Sequence, residues 1–203
     1  MLPLRLVMWG KPAYLVLDPG HCPGDAASAL STRLQRSPKM LLDNTIAKAL
    51  NDHVSVELAG SVSYLSMAAW ADIEGLSGFA SHFRKEAAGE YDHMNQFVAY
   101  LSDRDYQATF NAIPAPRSQW ASVEEAMVHA YEMELDLTKR INDLVAQARA
   151  ASDYFTEAFL AGFIPQQITD TAESEELLKR VRMAKDGQGI LIIDQQIATQ
   201  AAG

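Results

Sequence analysis

Apolar residues recur every three or four positions over residues 41–72, the spacing that places them on one face of a helix. The repeating positions are Ile46, Leu50, Val54, Leu58, Val62 and Leu65. Asp43 or Asn44 can cap the start of this predicted helix. Gly75-Leu76-Ser77-Gly78 then interrupts the pattern and predicts a tight turn. A second helix is predicted from there to about residue 102.

The second half of the chain predicts three more helices. Residues 103–121 lack helical periodicity and contain Pro114 and Pro116, which favours a long connection. Ser122 with Glu125 three residues later is a capping-box pattern and opens a third helix to about residue 150. Ser152-Asp153 is predicted to cap a fourth helix to about residue 184, ended by Gly187 in a left-handed conformation. A short apolar helix over residues 189–201 follows.

This order of elements predicts an all-α protein. Two short connections around one long one favour a four-helix bundle with a crossover between helices 2 and 3 and a short fifth C-terminal helix. The domain is assigned to residues 40–203. Residues 1–39 are rich in proline and basic residues and are predicted to be a poorly ordered N-terminal extension.

Composition narrows the possible partners. The 203-residue chain has a net charge of −9, which argues against nucleic acid as a ligand, since phosphate binding needs clustered Lys and Arg. No apolar run is long enough to cross a membrane. Cys22 is the single cysteine, so the chain has no intramolecular disulfide, and we expect a reducing, cytoplasmic location.

Acidic residues on the inward faces of the predicted helices need an explanation, because an unpaired buried carboxylate is unstable. Helix 1 carries Glu57 and Tyr64, and helix 2 carries a Glu-x-x-His motif at Glu90 and His93. Helix 3 carries Glu134, and helix 4 carries Gln167 and Asp170. Each position alone fits an ordinary surface or core residue. Together they resemble the carboxylate and histidine set that holds two iron ions inside a four-helix bundle.

Several segments resemble the bacterial non-haem ferritins. The resemblance lies in residues 51–57 and 64–70 of helix 1, in residues 75–80 and 90–94 of helix 2, and in Thr138 to Leu144 behind Glu134. Gln167 falls on the glutamine of that family's fourth helix, and the last helix is also similar. The spacing of these positions needs no insertion, and the resemblance covers about residues 40–200.

The resemblance implies a ferroxidase centre with two iron ions per subunit. One ion would be bound by Glu57, Glu90 and His93. The second would be bound by bridging Glu90 and by Glu134, with Gln167 beside it and Asp170 as a further candidate. Tyr64 would act next to the pair in hydrogen bonding or electron transfer. Fe²⁺ would be oxidised by O₂ or H₂O₂ and stored as ferric mineral in a homo-oligomeric shell of 24 subunits.

Two departures from that family are visible. A third iron position described in many relatives here reads Gly89, Gln166, Thr169 and Asp170, so we expect that third site to be weak or absent. Pro165 lies inside the predicted fourth helix and should kink it, at a cost of roughly 3 kcal/mol unless relieved.

Other interpretations remain open. The chain could be a catalytically weak structural or storage cage, or a di-iron oxidase that forms no cage. A bacterioferritin site loses support because the fourth helix has no histidine. We expect His53, His82 and His129 to be ordinary surface or packed residues. Asp153 and Glu157 are candidates for an iron access channel.

Overall fold

The computed structural model describes residues 42–184 and 186–201, and these contain six helices and no strand. The helices are α1 (Asn44–Ile73), α2 (Ser77–Asp103), α3 (Val123–Ala150), α4 (Tyr154–Ala161), α5 (Ile164–Met183) and α6 (Gly187–Ala201). The predicted all-α bundle with a crossover and a short C-terminal helix is confirmed. The extension predicted for residues 1–39 lies outside the described residues.

Helix α1 is fixed by hydrogen bonds at both of its ends. The Asp43 carboxylate accepts from the backbone N–H of Thr45 and Ile46, so Asp43, one of the two predicted caps, is the N-cap of α1. The helix therefore begins at Asn44, three residues after its predicted start. At the other end Gly75 has φ of 76°, and the Leu76 N–H donates to Ala71 O over 2.9 Å. Glycine adopts this left-handed conformation without steric cost, which closes a Schellman turn and sets the register of the two helices.

The crossover between α2 and α3 runs along α1. The Asn51 side chain accepts from the Thr109 N–H over 2.7 Å and donates to the Thr109 hydroxyl over 3.0 Å. Further along the crossover, the Ser66 hydroxyl donates to Arg117 O over 2.7 Å. Polar side chains of α1 therefore satisfy the backbone of a segment that has no regular structure of its own.

The predicted single fourth helix is wrong, because the structure has α4 and α5 separated by Gly162 and Phe163. Both residues keep right-handed helical dihedrals, but their N–H groups donate to carbonyls three residues back instead of four. Pro165 has no N–H to pair with the carbonyl of Ala161, and it occupies the first turn of α5. At that position the missing donor would have no helical partner in any case, which relieves the expected strain.

The short helix α6 packs against the start of α2. Asp194 of α6 accepts from the Phe79 N–H over 2.9 Å and so caps α2, whose own N-cap residue Leu76 makes no side-chain cap. A Cβ atom on Gly78 would lie 1.9 Å from the Asp194 carbonyl oxygen, so only glycine permits this approach. Gly187 begins α6 without a positive φ, so the predicted left-handed terminator is wrong.

Two apolar clusters fill the bundle, one at each end. The α6-end cluster includes Tyr64, Met67, Trp70, Phe79, Phe83, Met127, Leu178 and Ile193. The distal cluster includes Leu50, Val54, Met94, Phe97, Leu101, Ile141, Leu160 and Phe163. The candidate acids lie between these clusters along each helix. Within the described residues, no helix is both long enough and apolar enough to cross a membrane.

Candidate metal centre

Glu57, Glu90 and His93 converge between the two apolar clusters. One ligand atom from each residue can be chosen so that all three atoms lie within 4.8 Å of one another. Glu57 is 1% exposed and Glu90 is 4% exposed, so both carboxylates are removed from water. Among the described residues this is the one group of at least three acidic, histidine or cysteine side chains with that geometry.

The contacts inside this trio leave ligand atoms free. His93 Nδ1 lies 3.2 Å from Glu90 Oε2 and 4.0 Å from Glu57 Oε2. Glu57 Oε2 is buried and makes no hydrogen bond. A buried carboxylate oxygen without a donor is destabilising unless a cation binds it. The trio therefore has the chemistry of a divalent metal site with oxygen and imidazole ligands.

The protonation states of Glu57, Glu90 and His93 also favour a divalent metal site. Burial raises the pKa of Glu57 and raises that of Glu90 to about 8. For His93, burial alone would lower the pKa, but the hydrogen bond with Glu90 and the charge of Glu57 raise it above its ordinary value. Without metal the trio therefore retains protons near neutral pH, and a divalent cation would displace them on binding.

Glu134 of α3 lies outside the trio and is held by Tyr64. The Tyr64 hydroxyl donates to Glu134 Oε1, while Glu134 Oε2 is buried with no hydrogen-bond partner. Glu134 is 2% exposed, and burial raises its pKa to about 8. Burial and the neighbouring Glu134 charge raise the pKa of Tyr64 well above its ordinary value, so the phenol stays a hydrogen-bond donor.

The two α5 candidates are engaged with neighbouring side chains. The Thr138 hydroxyl donates to Gln167 Oε1 over 3.1 Å, and Gln167 is buried. Gln166 Nε2 donates to Asp170 Oδ1 over 2.8 Å, and burial raises the pKa of Asp170. The structure therefore brings Glu57, Glu90 and His93 together and leaves Glu134, Gln167 and Asp170 beside them, bonded to other groups.

Comparison with known proteins decides the family of this bundle. A family model described as the ferritin-like domain matches residues 47–184. A probable bacterial non-heme ferritin-like protein of Haemophilus influenzae is 31% identical over 158 residues, covering 77% of this chain and 96% of the relative. The chain belongs to the ferritin family.

Other ferritins match over the same region. The bacterial non-heme ferritin of Staphylococcus aureus is 29% identical over 79% of this chain and 97% of its own length. Among solved structures, an open pore ferritin of the archaeon Archaeoglobus fulgidus superposes with a TM-score of 0.75 at 29% identity. It covers 77% of this chain and 97% of that chain. The predicted family is confirmed, and with it iron storage as the general role.

Two residues of this ferritin near the centre were assigned no role from the sequence. His53 is 3% exposed, packs on the Phe97 ring at 4.7 Å, and places Nε2 2.7 Å from Glu57 Oε1. Burial lowers its pKa to about 4, so the imidazole is neutral. Glu86 lies one turn before Glu90 with Oε1 buried and without a hydrogen bond. Both stand four residues from a candidate ligand, and that i, i+4 spacing was the available signal.

The proposed access residues both take part in ion pairs. Asp153 contacts Arg104 at 3.2 Å and caps α4, while Glu157 contacts Arg149 at 2.6 Å. Their part in an iron access channel stays a prediction.

Proposed function

We propose that this ferritin oxidises Fe²⁺ at a two-iron ferroxidase centre inside each subunit. The observation that carries the proposal is the buried trio of Glu57, Glu90 and His93, with an unpartnered oxygen on Glu57. In this proposal the trio binds the first Fe²⁺. Glu90 bridges to a second Fe²⁺ that Glu134 binds through its free Oε2, with Gln167 and Asp170 next to it.

The reaction follows from the substrates. Each Fe²⁺ loses one electron, and two electrons with two protons reduce O₂ to H₂O₂; alternatively H₂O₂ accepts two electrons and two protons and yields water. Carboxylates stabilise Fe³⁺ more than Fe²⁺ because the ion–ligand attraction grows with charge. The protons that Glu90 and Glu134 hold near neutral pH leave when iron binds and are available to the reduced oxygen.

The proposal includes assembly into a shell of 24 subunits that stores the ferric product. Its support is the family, together with exposed apolar side chains such as Ile73, Ile168 and Leu191, which a subunit interface would cover. A cytoplasmic location also belongs to the proposal. The mass of the particle in solution tests the assembly, and a particle of only one or two subunits would contradict it.

A second candidate is a storage cage with little catalysis. It is favoured by the bonds that engage Glu134, Gln167 and Asp170 with Tyr64, Thr138 and Gln166. If those bonds persist in the presence of Fe²⁺, the second iron would lack ligands, and oxidation would then show no rapid phase of two iron ions per subunit.

Aerobic stopped-flow mixing with Fe²⁺ separates these candidates. We expect the wild-type protein to oxidise Fe²⁺ faster than autoxidation, and Glu90→Ala and His93→Ala to lose that acceleration. Asp92→Asn is the matched control, because Asp92 lies on the exposed face of the same helix. If Glu90→Ala oxidised Fe²⁺ at the wild-type rate, the proposal would be wrong.

A further inference from the structure

Two buried acids of the candidate centre, Glu57 and Glu134, divide their oxygen atoms in the same way. In each of them Oε2 is buried and has no hydrogen-bond partner. In each of them Oε1 contacts a side chain of α1. His53 Nε2 lies 2.7 Å from Glu57 Oε1, and the Tyr64 hydroxyl donates to Glu134 Oε1. A neighbour on α1 thus engages one oxygen of each acid, and the other oxygen is left available to a cation.

The place of His53 follows from the geometry of α1. His53 precedes Glu57 by four residues, so both side chains project from the same face of the helix. The imidazole is 3% exposed, and its ring centroid lies 4.7 Å from that of Phe97, a fully buried side chain of α2. Close packing in a protein interior restricts the rotamers of such a ring. The imidazole is therefore held beside Glu57 Oε1 by the fold itself.

The chemistry of the imidazole suits donation to that oxygen. Burial and the nearby charge of Arg140 lower the pKa of His53 to about 4, so near neutral pH the ring is uncharged and has a single N–H. A carboxylate oxygen beside Nε2 offers lone pairs, and a proton on Nε2 makes this contact attractive. The surroundings of His53 therefore favour the tautomer that is protonated on Nε2.

The contact has the length of a hydrogen bond but lacks its direction, because Nε2 makes no hydrogen bond of acceptable angle. The terminal torsion of a glutamate side chain has a broad distribution, so rotation of the Glu57 carboxylate can correct this angle at little cost. A cation bound at Oε2 would fix the same torsion. Binding of metal at one oxygen and donation by His53 to the other are therefore compatible.

We propose that His53 is a positioning residue whose Nε2–H donates to Glu57 Oε1 and thereby presents Oε2 to the first metal ion. In the common form of such pairs an imidazole binds the metal and a carboxylate supports it, whereas here the two roles are exchanged. Among the described residues, His53 does not belong to the group of ligand atoms that lie within 4.8 Å of one another. The identity of the metal as Fe²⁺ rests on the proposed function, whereas the orientation of Glu57 does not.

Titration of the assembled full-length protein with Co²⁺ tests the inference, because the visible absorption of Co²⁺ reports the geometry of its ligands. His53→Leu removes the N–H but keeps a buried side chain of similar size. In this variant the affinity for the first Co²⁺ should fall about 10–100-fold, and its absorption band should shift. His53→Gln, whose amide can donate to the same oxygen, should restore most of the affinity and the wild-type band.

His82→Leu is the matched control for loss of packing. His82 is a largely buried histidine of α2 whose pKa burial also lowers to about 4, but its Nδ1 lies 3.5 Å from Glu86 and contacts no member of the trio. This variant should bind the first Co²⁺ like the wild-type protein. If His82→Leu weakened that ion as much as His53→Leu, or if His53→Gln behaved like His53→Leu, the proposal would be wrong.

A crystal structure with Co²⁺ is a second test that requires no variant to fold. We expect the ion on Glu57 Oε2, with His53 Nε2 at hydrogen-bond distance from Oε1. An ion bound by His53 Nε2 itself, or by Glu57 Oε1, would overturn the proposal. Failure of the proposed function looks different, because Co²⁺ binding would then still depend on His53 while Fe²⁺ was oxidised no faster than by autoxidation.

Discussion

The two sides of the bundle differ in how ready they are to bind metal. On the α1–α2 side, Glu57, Glu90 and His93 already converge, and Glu57 keeps a free buried oxygen. On the α3–α5 side, Glu134 and Gln167 are hydrogen-bonded to Tyr64 and Thr138. The fold itself therefore forms the first of the two proposed metal positions, whereas the proposed second position would need side chains to exchange partners when metal arrives.

The connections explain much of this difference. The Schellman turn at Gly75 fixes α2 against α1, so ligands on these helices have a defined register. The α5 helix instead follows the interruption at Gly162 and Phe163, two residues before Pro165. Gln166 and Gln167 stand directly after the proline, in the first turn of a new helix. The interruption thus accounts for the setting of the α5 candidates, whereas Glu134 stands on the uninterrupted α3 and is held by Tyr64 of α1.

Loss of the Tyr64 hydroxyl should give the largest effect on the α3–α5 side. Tyr64→Phe removes the donor that orients Glu134, and changes to such supporting groups typically weaken metal binding by about 10–100-fold. In a Co²⁺ titration, we expect the ion beside Glu134 to bind more weakly by that factor. The affinity for the ion bound by Glu57, Glu90 and His93 should change little. Tyr91→Phe, at an exposed tyrosine on α2, is the control. If the affinity for both ions fell equally, the two sides of the bundle would not bind metal independently, and the account would be contradicted.

Stability without metal should fall as the pH rises. Burial raises the pKa of Glu90 and Glu134 from 4.5 to about 8, so between these values the folded protein holds protons that the unfolded chain has released. Stability therefore decreases across that range, while below pH 4.5 both states are protonated and the effect vanishes. The buried His53 and His82, whose pKa values are lowered to about 4, act in the opposite direction below pH 6.5, because there only the unfolded chain protonates them. We therefore expect thermal unfolding of metal-free protein to occur about 5 °C lower at pH 8 than at pH 6.5.

The matched variant for this experiment is Glu90→Gln, which cannot titrate. Its unfolding temperature should depend less on pH than that of the wild-type protein. A metal-free wild-type protein that becomes more stable from pH 6.5 to pH 8 would show that the buried carboxylates are already ionised.

Replacement of the proline should have the smallest effect. Pro165→Ala restores an N–H that could pair with Ala161, but Pro165 already occupies a first-turn position where that donor is dispensable. We expect the free energy of unfolding in urea to change by less than about 1 kcal/mol. If the variant's free energy of unfolding rose by several kcal/mol, Pro165 would be straining α5 in the wild-type protein.

The sequence predicted the helices well where their ends carry strong local signals. Asp43, Ser122 and Asp153 all cap helices in the structure, and each is an oxygen-bearing side chain directly before an apolar repeat. The break in the fourth helix was harder to place, because periodicity continues through Gly162 and Phe163. Gly187 was misassigned because glycine permits a left-handed turn but does not require one.

The candidate site was predicted by residue type and helical face, but not by its bonding. Spacing places Glu57, Glu90 and Glu134 toward the interior, and the structure buries all three. The contacts of Glu134 with Tyr64 and of Glu57 with His53 depend on rotamers and helix packing, which one sequence does not determine.

The most direct test of the difference between the α1–α2 side and the α3–α5 side is to locate the first metal ion that binds. Crystals of the assembled protein with one equivalent of Co²⁺ per subunit can be measured by anomalous diffraction. We predict one peak between Glu57, Glu90 and His93, with a second peak beside Glu134 only when Co²⁺ is in excess. A first peak beside Glu134 and Gln167, or no peak inside the bundle, would contradict the account.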